Sequence, residues 1–307
     1  MSEVSLLVNP FAGQGLKHST LEQAVRTFKQ KGVNPEILIP ETIEDSRRFI
    51  ESVASNHGRL IVYGGDGLVN QAIETLSGTS SVLGILPAGT GNDAARALGL
   101  LTGSLSQLID RALSEPVPID LLSTGNQLAI TSIICGFPAA VNIRANRLNF
   151  PSGSNRYTLA TLLELPKMRS QTYKIIVDND HLQLSATAII VSNTAFFGGG
   201  MRISPDADPT DGLLDICIIG DIGQFDMLKS LIRVMSGTHI FHSKVTMLQA
   251  KKIKIIGDGK VRADGEDSSN LPIQITTKIA SLLVSGATTK PPGIKDKVNK
   301  WTNTLSK

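Results

Sequence analysis

Cysteine is scarce in this chain: Cys135 and Cys217 are the only two among 307 residues, and both lie in apolar, strand-like runs. Neither has metal-ligand spacing to a second thiol or to histidine. A disulfide scaffold and a Cys/His metal centre are therefore excluded, and buried free thiols in a reducing compartment are expected. Aromatic residues make up 4% of the sequence and no run of Lys or Arg is interleaved with them, which removes nucleic acid as a partner. No apolar stretch reaches the length of a transmembrane helix, and the opening Met1-Ser2-Glu3 leads into a strand rather than a signal peptide. The expectation is a soluble, cytoplasmic protein. Its net charge of +3 is small, yet of the sign that favours transient contact with an anionic leaflet at the inner membrane face. With 41% hydrophobic residues the chain can fill two cores of ordinary size.

What is present is organised around Gly64-Gly65-Asp66-Gly67. Residues 59–63 read as a buried strand, the glycines permit a tight turn, and Leu68, Val69, Ala72, Ile73 and Leu76 fall on one helical face. A helix starting from such a turn aims free N–H groups and the positive end of its dipole at a place where a phosphate fits. Asp66 within the turn would repel a bare anion, so a nucleotide polyphosphate carried with Mg²⁺ is the simplest ligand; a plain packing turn is the alternative reading. A second loop, Pro87-Ala88-Gly89-Thr90-Gly91-Asn92-Asp93, follows the apolar run 81–86, with Asn92 or Asp93 able to cap the next helix and Thr90 facing the crevice. A third, Asn9-Pro10-Phe11-Ala12-Gly13, follows a strand over 4–8. Three such loops at the carboxyl ends of parallel strands mark the ligand edge of an open α/β sheet.

Strand and helix alternate four times up to Leu98, with a helix stop at Gly32 and a capping box at Thr42 and Asp45, which predicts a parallel sheet covered by helices. From residue 117 the pattern changes. Hairpins are predicted for 117–122 with 128–137 and for 173–177 with 182–191, and a helical segment over 139–165 is broken at Pro151-Ser152-Gly153. Strands at 213–219, 245–248, 252–256 and 273–277, with a helix at 225–235, predict an antiparallel β-sandwich. Ile294, Val298, Trp301 and Leu305 form an apolar stripe on a C-terminal helix expected to return to the first domain. The fold class is thus α/β plus β: a nucleotide-binding α/β domain of residues 1–116 with 286–307, and a β-sandwich domain of 117–285. Edge strands of the sandwich would permit a homodimer without requiring one.

Gly64-Gly65-Asp66-Gly67 followed by Leu86-Pro87-Ala88-Gly89-Thr90-Gly91-Asn92-Asp93 resembles the catalytic domain of the diacylglycerol kinase family, and the bacterial lipid kinases most closely. Residues 197–208, Asp211-Gly212-Leu213-Leu214-Asp215 and Asp264-Gly265-Glu266 look like the later motifs of that family in the same order, so the resemblance covers nearly the whole chain. It implies an ATP-binding domain and a sandwich domain with the active site between them, in a fold similar to that of sphingosine kinases. It also implies Mg²⁺-assisted phosphoryl transfer from ATP to the hydroxyl of diacylglycerol or another lipid alcohol. Carried over residue by residue, the nucleotide side comprises Asn9, Gly13, Gly65, Asp66, Gly67, Asn70, Gly89, Thr90, Asn92 and Asp93. Asp264 is the candidate general base and Glu266 its neighbour, with Asp66 acting through Mg²⁺ or as the base itself. Taken alone, Asp264-Gly265-Glu266 is equally an ordinary solvated turn.

Asp208, Asp211 and the carbonyl of Leu213 match a second, structural Mg²⁺ site of the family; two loop aspartates that turn the chain are the alternative. Ala195-Phe196-Phe197 and Gly198-Gly199-Gly200 read either as an apolar lip admitting an acyl chain or as core and hinge. Leu68, Gln71, Ala12 and Pro40 depart from the family pattern, each removing a hydrogen bond or charge beside ATP. At roughly 0.5–1.5 kcal/mol apiece, four uncompensated losses weaken nucleotide binding by orders of magnitude. Two further readings therefore stand beside the kinase: a catalytically silent nucleotide- or lipid-binding regulatory protein, and a kinase of a soluble substrate resembling NAD kinase, which fits the second-half motifs poorly.

Overall fold

The computed structural model describes residues 4–9, 12, 18–148, 150 and 154–288. The stripe at Ile294, Val298, Trp301 and Leu305 and the break at Pro151-Ser152-Gly153 lie outside those residues. In the front half the apolar periodicity becomes β1 (Val4–Val8), α1 (His18–Gln30), β2 (Glu36–Leu38), α2 (Ile43–Ser55), β3 (Arg59–Gly64), α3 (Asp66–Leu76), β4 (Val82–Pro87), α4 (Asp93–Ala97) and α5 (Leu105–Leu113). The four strands pair in parallel in the order β4-β3-β1-β2. Alternate strand residues serve two cores. Leu60, Val62 and Leu83 pack with Ile50 of α2 and Ile73 of α3, while Leu6, Ile61 and Leu86 pack with Phe28 of α1 and Ile109 of α5. A sheet buried on both faces needs continuous apolar strands, and these are continuous. The Thr42–Asp45 capping box is present in both directions, and Ser104 with Gln107 makes a second one at α5 that the sequence reading did not single out.

The back half runs β5 (Pro116–Ser123), β6 (Leu128–Ala129), β7 (Ser132–Gly136), α6 (Phe137–Arg147), α7 (Ser154–Glu164), β8 (Gln171–Val177), β9 (Asp180–Ser192), β10 (Leu214–Gly220), α8 (Gln224–Ser236), β11 (Val245–Ala250), β12 (Lys252–Ile256), β13 (Lys260–Ala263), β14 (Glu266–Asn270) and β15 (Ile273–Ser285). The long β9 pairs with β8 through its first half and with β7 and β10 through its second, which folds the sheet into two layers. Ile133, Val191 and Ile216 share a core with Tyr173, Ile253 and Ile275 between those layers. The outer side of the β7-β9-β10 layer carries Ile134, Ile190, Cys217 and Ile219 and packs against Val141 of α6, Ala160 of α7 and Val234 of α8. Both cysteines are free, and burial pushes each thiol up to about 12, as expected of inert core residues.

Three features differ from the sequence reading. The hairpin expected over 117–137 is cut short: β5 and β6 pair only at Leu122 with Ala129 and Ser123 with Leu128, after which the chain leaves to join β9 and β13. The pair β13-β14 was not anticipated, because its residues are largely polar and lack strand alternation. Its Asp264-Gly265 turn, with φ of +46° and +81°, joins Ala263 to Glu266 as the two-residue hairpin that an Asp-Gly dipeptide favours. Finally β15 extends eight residues past Thr277. Its register shifts between Lys278 and Leu282, with Ala280 at φ +49°, and Leu283 and Val284 then pair in parallel with Val82 and Leu83 of β4.

Candidate active site

Gly65 caps α3 and stands back to back with Gly89: a Cβ on Gly65 would lie 3.0 Å from Gly89 Cα, and one on Gly89 only 2.6 Å from Gly65 Cα. Glycine at both positions is what lets the two loops close on each other. Gly67, by contrast, looks onto open space, where a Cβ would meet nothing within 4 Å. The second loop is held from inside. Asn92, in the left-handed region at φ +52°, accepts a hydrogen bond from Gly89 N at 2.8 Å and donates one to Gly89 O at 2.8 Å. Neither Asn92 nor Asp93 caps α4 through its side chain; Asp66 Oδ1 does so from the first loop, accepting from Ala94 N at 3.2 Å.

Asp264 receives four donors. Oδ2 accepts from Ile130 N at 2.6 Å, and Oδ1 accepts from Thr131 N at 2.9 Å, Ser132 N at 3.0 Å and the Thr131 hydroxyl. These donors come from the segment where the expected 117–137 hairpin breaks off, so the interruption delivers three consecutive amides to one carboxylate. The turn is pinned further by Arg262, which is buried and donates Nε to Asn142 Oδ1 at 2.8 Å and an Nη2 hydrogen to Gly265 O at 2.7 Å, while its other arm pairs with Asp267. Asn146 Nδ2 adds a bond to Gly265 O at 3.3 Å. Arg262, Asn142 and Asn146 escaped the sequence reading, since each is an unremarked polar residue in an unrecognised hairpin or a plain helix.

These loops meet in one cavity of 530 Å³. Asn9, Ala12, Gly65, Asp66, Gly67, Leu68, Gly89, Thr90, Gly91 and Asp93 line it from the front half, and Thr131, Asp264 and Glu266 from the back half. It continues between apolar side chains, among them Phe137, Val141, Ile190, Phe197, Ile219 and Val234. Asn70 lines a smaller adjoining crevice with Asp66, Asp93, Ala94, Ile130, Thr131 and Asp264; Asn92 lines neither, and Gly13 lies outside the described residues. Of the departures, Leu68 and Ala12 face the cavity, Pro40 does not, and Gln71 buries its Oε1 without a hydrogen-bond partner among the described residues.

Burial and crowding tune the acids. Asp66 is pushed up to about 6, first by burial and then by the charge of Asp93, with Asp264 adding to it and the Ala94 amide opposing. Asp93 is raised by burial against the pull of the Gly199 amide and of Arg96, and Asp264 is raised by burial against its four donors. Tyr157, a cavity residue not anticipated, has its phenol raised by burial and then by Asp93 and Asp66. Arg96 also lines the cavity and is the cation facing Asp93.

The triple glycine forms a tight hairpin in which Phe197 and Met201 exchange two backbone bonds of 3.0 Å and all three glycines have positive φ. Gly199 N donates to Asp93 Oδ1 at 2.7 Å, so this hairpin joins the halves across the cavity that Phe197 and Met201 line. Asp208, Asp211 and Leu213 lie elsewhere. Asp208 Oδ1 accepts from Thr210 N at 3.1 Å and its hydroxyl at 2.6 Å, and Asp211 Oδ1 accepts from Leu213 N at 2.9 Å. Asp120, missed in the sequence, ties that loop to β15 by accepting from Gly212 N at 2.8 Å and Ala280 N at 2.7 Å. Among the described residues no three acidic, His or Cys side chains converge closely enough to enclose a metal.

The chain resembles known proteins along most of its length. Residues 3–124 match the diacylglycerol kinase catalytic domain, and residues 131–285 match the YegS C-terminal NAD kinase beta sandwich-like domain. A diacylglycerol kinase of Mycobacterium tuberculosis is 32% identical over 293 residues, covering 92% of this chain and 95% of the relative. A diacylglycerol kinase of Bacillus subtilis is 25% identical over 281 residues, covering 89% and 92%. A crystal structure from Bacillus anthracis superposes with a TM-score of 0.77 at 24% identity, over 95% of this chain and 98% of that one, and so shares the fold. On these matches the chain belongs to the diacylglycerol kinase and YegS family of lipid kinases.

Proposed function

We propose that the protein transfers the γ-phosphoryl group of ATP to the hydroxyl of diacylglycerol or a closely related lipid alcohol. The observation that carries this reading is the single cavity with unlike ends: glycine amides and carboxylates from the front half, apolar side chains from the back half, and Asp264 between them. The amides of Gly65, Gly67 and Gly91 and the start of α3 would hold the phosphates, while that of Gly89 is taken by Asn92. Asp66 and Asp93 are desolvated carboxylates, Asp66 raised further by the charges of Asp93 and Asp264, and the two would hold a hydrated divalent cation. Mg²⁺ bound there would neutralise charge on the transferring group. The acceptor hydroxyl oxygen forms the new bond to the γ-phosphorus while the bond to the β–γ bridging oxygen breaks and ADP departs. Asp264 takes the hydroxyl proton at Oδ2, which accepts one hydrogen bond where Oδ1 accepts three. Glu266, exposed at the cavity edge, is the second proton acceptor in reach.

The test is transfer of labelled phosphate from ATP with Mg²⁺ to a panel of dispersed lipids by the wild type and by Asp264→Asn. Transfer to diacylglycerol that is lost in the variant supports the reading, and transfer to no lipid overturns it. The silent regulatory alternative draws on Leu68, which puts an apolar side chain among the phosphate loops. Tight ATP binding in calorimetry with no turnover would be its signature.

A further inference from the structure

Helix α8 has two apolar sides. Met227, Leu231 and Val234 line the cavity. Phe225, Leu228, Ile232 and Met235 recur three and four residues apart along another side, where they are 84%, 40%, 73% and 58% exposed. Scattered exposed apolar residues are ordinary, but a row of four on one helix is an interaction surface. Phe241, on the 3₁₀ turn Thr238–Phe241 that follows, extends it. At the other end, Gln224 Nε2 donates to Pro166 O at 3.4 Å, joining the start of α8 to the segment after α7, and Leu162 and Leu163 in the last turn of α7 are also exposed.

Charge identifies the partner. The segments that wall the apolar arm of the cavity, 137–169 and 221–245, contain eight Lys and Arg against three Asp and Glu, so a chain of net +3 is acidic over the remainder. On α8 itself Lys229 and Arg233 are exposed beside the stripe, against one exposed acid, Asp226, whose Oδ1 lies 3.5 Å from Lys229 Nζ. Pressing two copies together through this face would oppose like charges, whereas a leaflet of anionic lipid complements it. We infer that α8 and the turn after it are the face by which the protein docks on an anionic bilayer, with Phe225, Leu228, Ile232 and Met235 entering the interface and Lys229 and Arg233 meeting the headgroups. The neighbouring side of the same helix, with Met227, Leu231 and Val234, is then the wall past which a lipid reaches the cavity. What the cavity receives rests on the lipid-kinase reading; the docking itself does not.

The experiment is co-sedimentation, without ATP, with vesicles of phosphatidylcholine alone and of phosphatidylcholine with equimolar phosphatidylglycerol. The wild type is expected to bind the mixed vesicles and to be released by added salt. A Phe225→Ser/Ile232→Ser double variant, altered only at exposed positions, is expected to bind at least about tenfold more weakly, and Lys229→Glu/Arg233→Glu to lose the preference for anionic vesicles. Wild type that ignores both vesicles, a double variant that binds like wild type, or a dimer in velocity sedimentation that the double variant abolishes would each overturn the proposal. Phosphorylation of a short-chain, water-soluble diacylglycerol by both proteins separates the two readings. Activity without vesicle binding sinks docking alone, and docking without phosphorylation of any lipid sinks the kinase reading alone.

Discussion

Asp66, Asp93 and Asp264 crowd the junction of the two halves much as Asp120, Asp208, Asp211 and Asp215 crowd the loop before β10, yet the two groups are satisfied differently. In the loop, carboxylate oxygens are taken up by nearby amides: Gly212 and Ala280 for Asp120, Thr210 for Asp208, Leu213 for Asp211. Those acids shape the chain. At the junction, Asp66 and Asp93 are each held by an amide from another loop, at Ala94 and Gly199, and both side chains look into the cavity. Asp211 and the junction acids each take one amide, so the difference lies in what surrounds them: the junction acids line the cavity and the loop acids do not.

The sharpest way to break this distinction is Asp264, which belongs to both kinds. Asp264→Asn is expected to lower phosphoryl transfer by a factor of about 10² or more. Because an amide nitrogen cannot accept, it would also leave at least one of Ile130, Thr131 and Ser132 unpaired, at about 1–3 kcal/mol in denaturant unfolding. Full stability would show the four-donor cradle to be dispensable. Gly89→Ala should cost about 1–3 kcal/mol and weaken ATP binding, since its Cβ has no room against Gly65. Gly67→Ala should melt like wild type and change nucleotide affinity alone, and a matching loss of stability in both variants would remove the reason for assigning the space at Gly67 to a ligand.

pH compares the clusters directly. Asp66 in the fold titrates at about 6 and Asp215, driven first by burial and then by Asp211, at about 7, both above the 3.8 of an unperturbed aspartate. The folded state therefore holds more protons than the unfolded one in between. Each group contributes stability that is complete below about 4 and lost as pH rises through its folded value, on the order of 1–2 kcal/mol after solvent screening. Asp66→Asn should lessen the fall of unfolding free energy between about pH 4 and 6 and Asp215→Asn that between about pH 4 and 7, each leaving the other's share; a wild-type profile flat over that span contradicts both. The smallest effect is expected at Asp208→Ala, about 1 kcal/mol or less in melting with unchanged KM for ATP, because the carboxylate serves its own loop. A KM shift there would tie the second cluster to the first.

Much of this was readable before any coordinates. Strand, glycine turn and amphipathic helix are local signals, so β3, α3 and the paired loops at Gly65 and Gly89 followed from the residues themselves. The hairpin of β8 and β9 around Asp178-Asn179 was likewise local. What escaped depends on contacts distant in sequence. Nothing near Ile130 announces that its amide serves a carboxylate 134 positions on, and Arg262 and Asp120 look like surface charges until the fold surrounds them. Lys260–Ala263 and Glu266–Asn270 lack alternation, although the Asp-Gly between them was a legible turn signal. Asn92 shows the converse, a plausible ligand residue that is spent on folding its own loop.

One ribbon of backbone, β15, begins in the sandwich beside β12 and finishes beside β4 among the parallel strands of the front half. Its kink at Ala280 is clasped by Asp120, which also clasps Gly212. The two lobes are therefore stitched rather than merely stacked, and a motion of one against the other that keeps this hydrogen-bond ladder intact has the seam as its hinge.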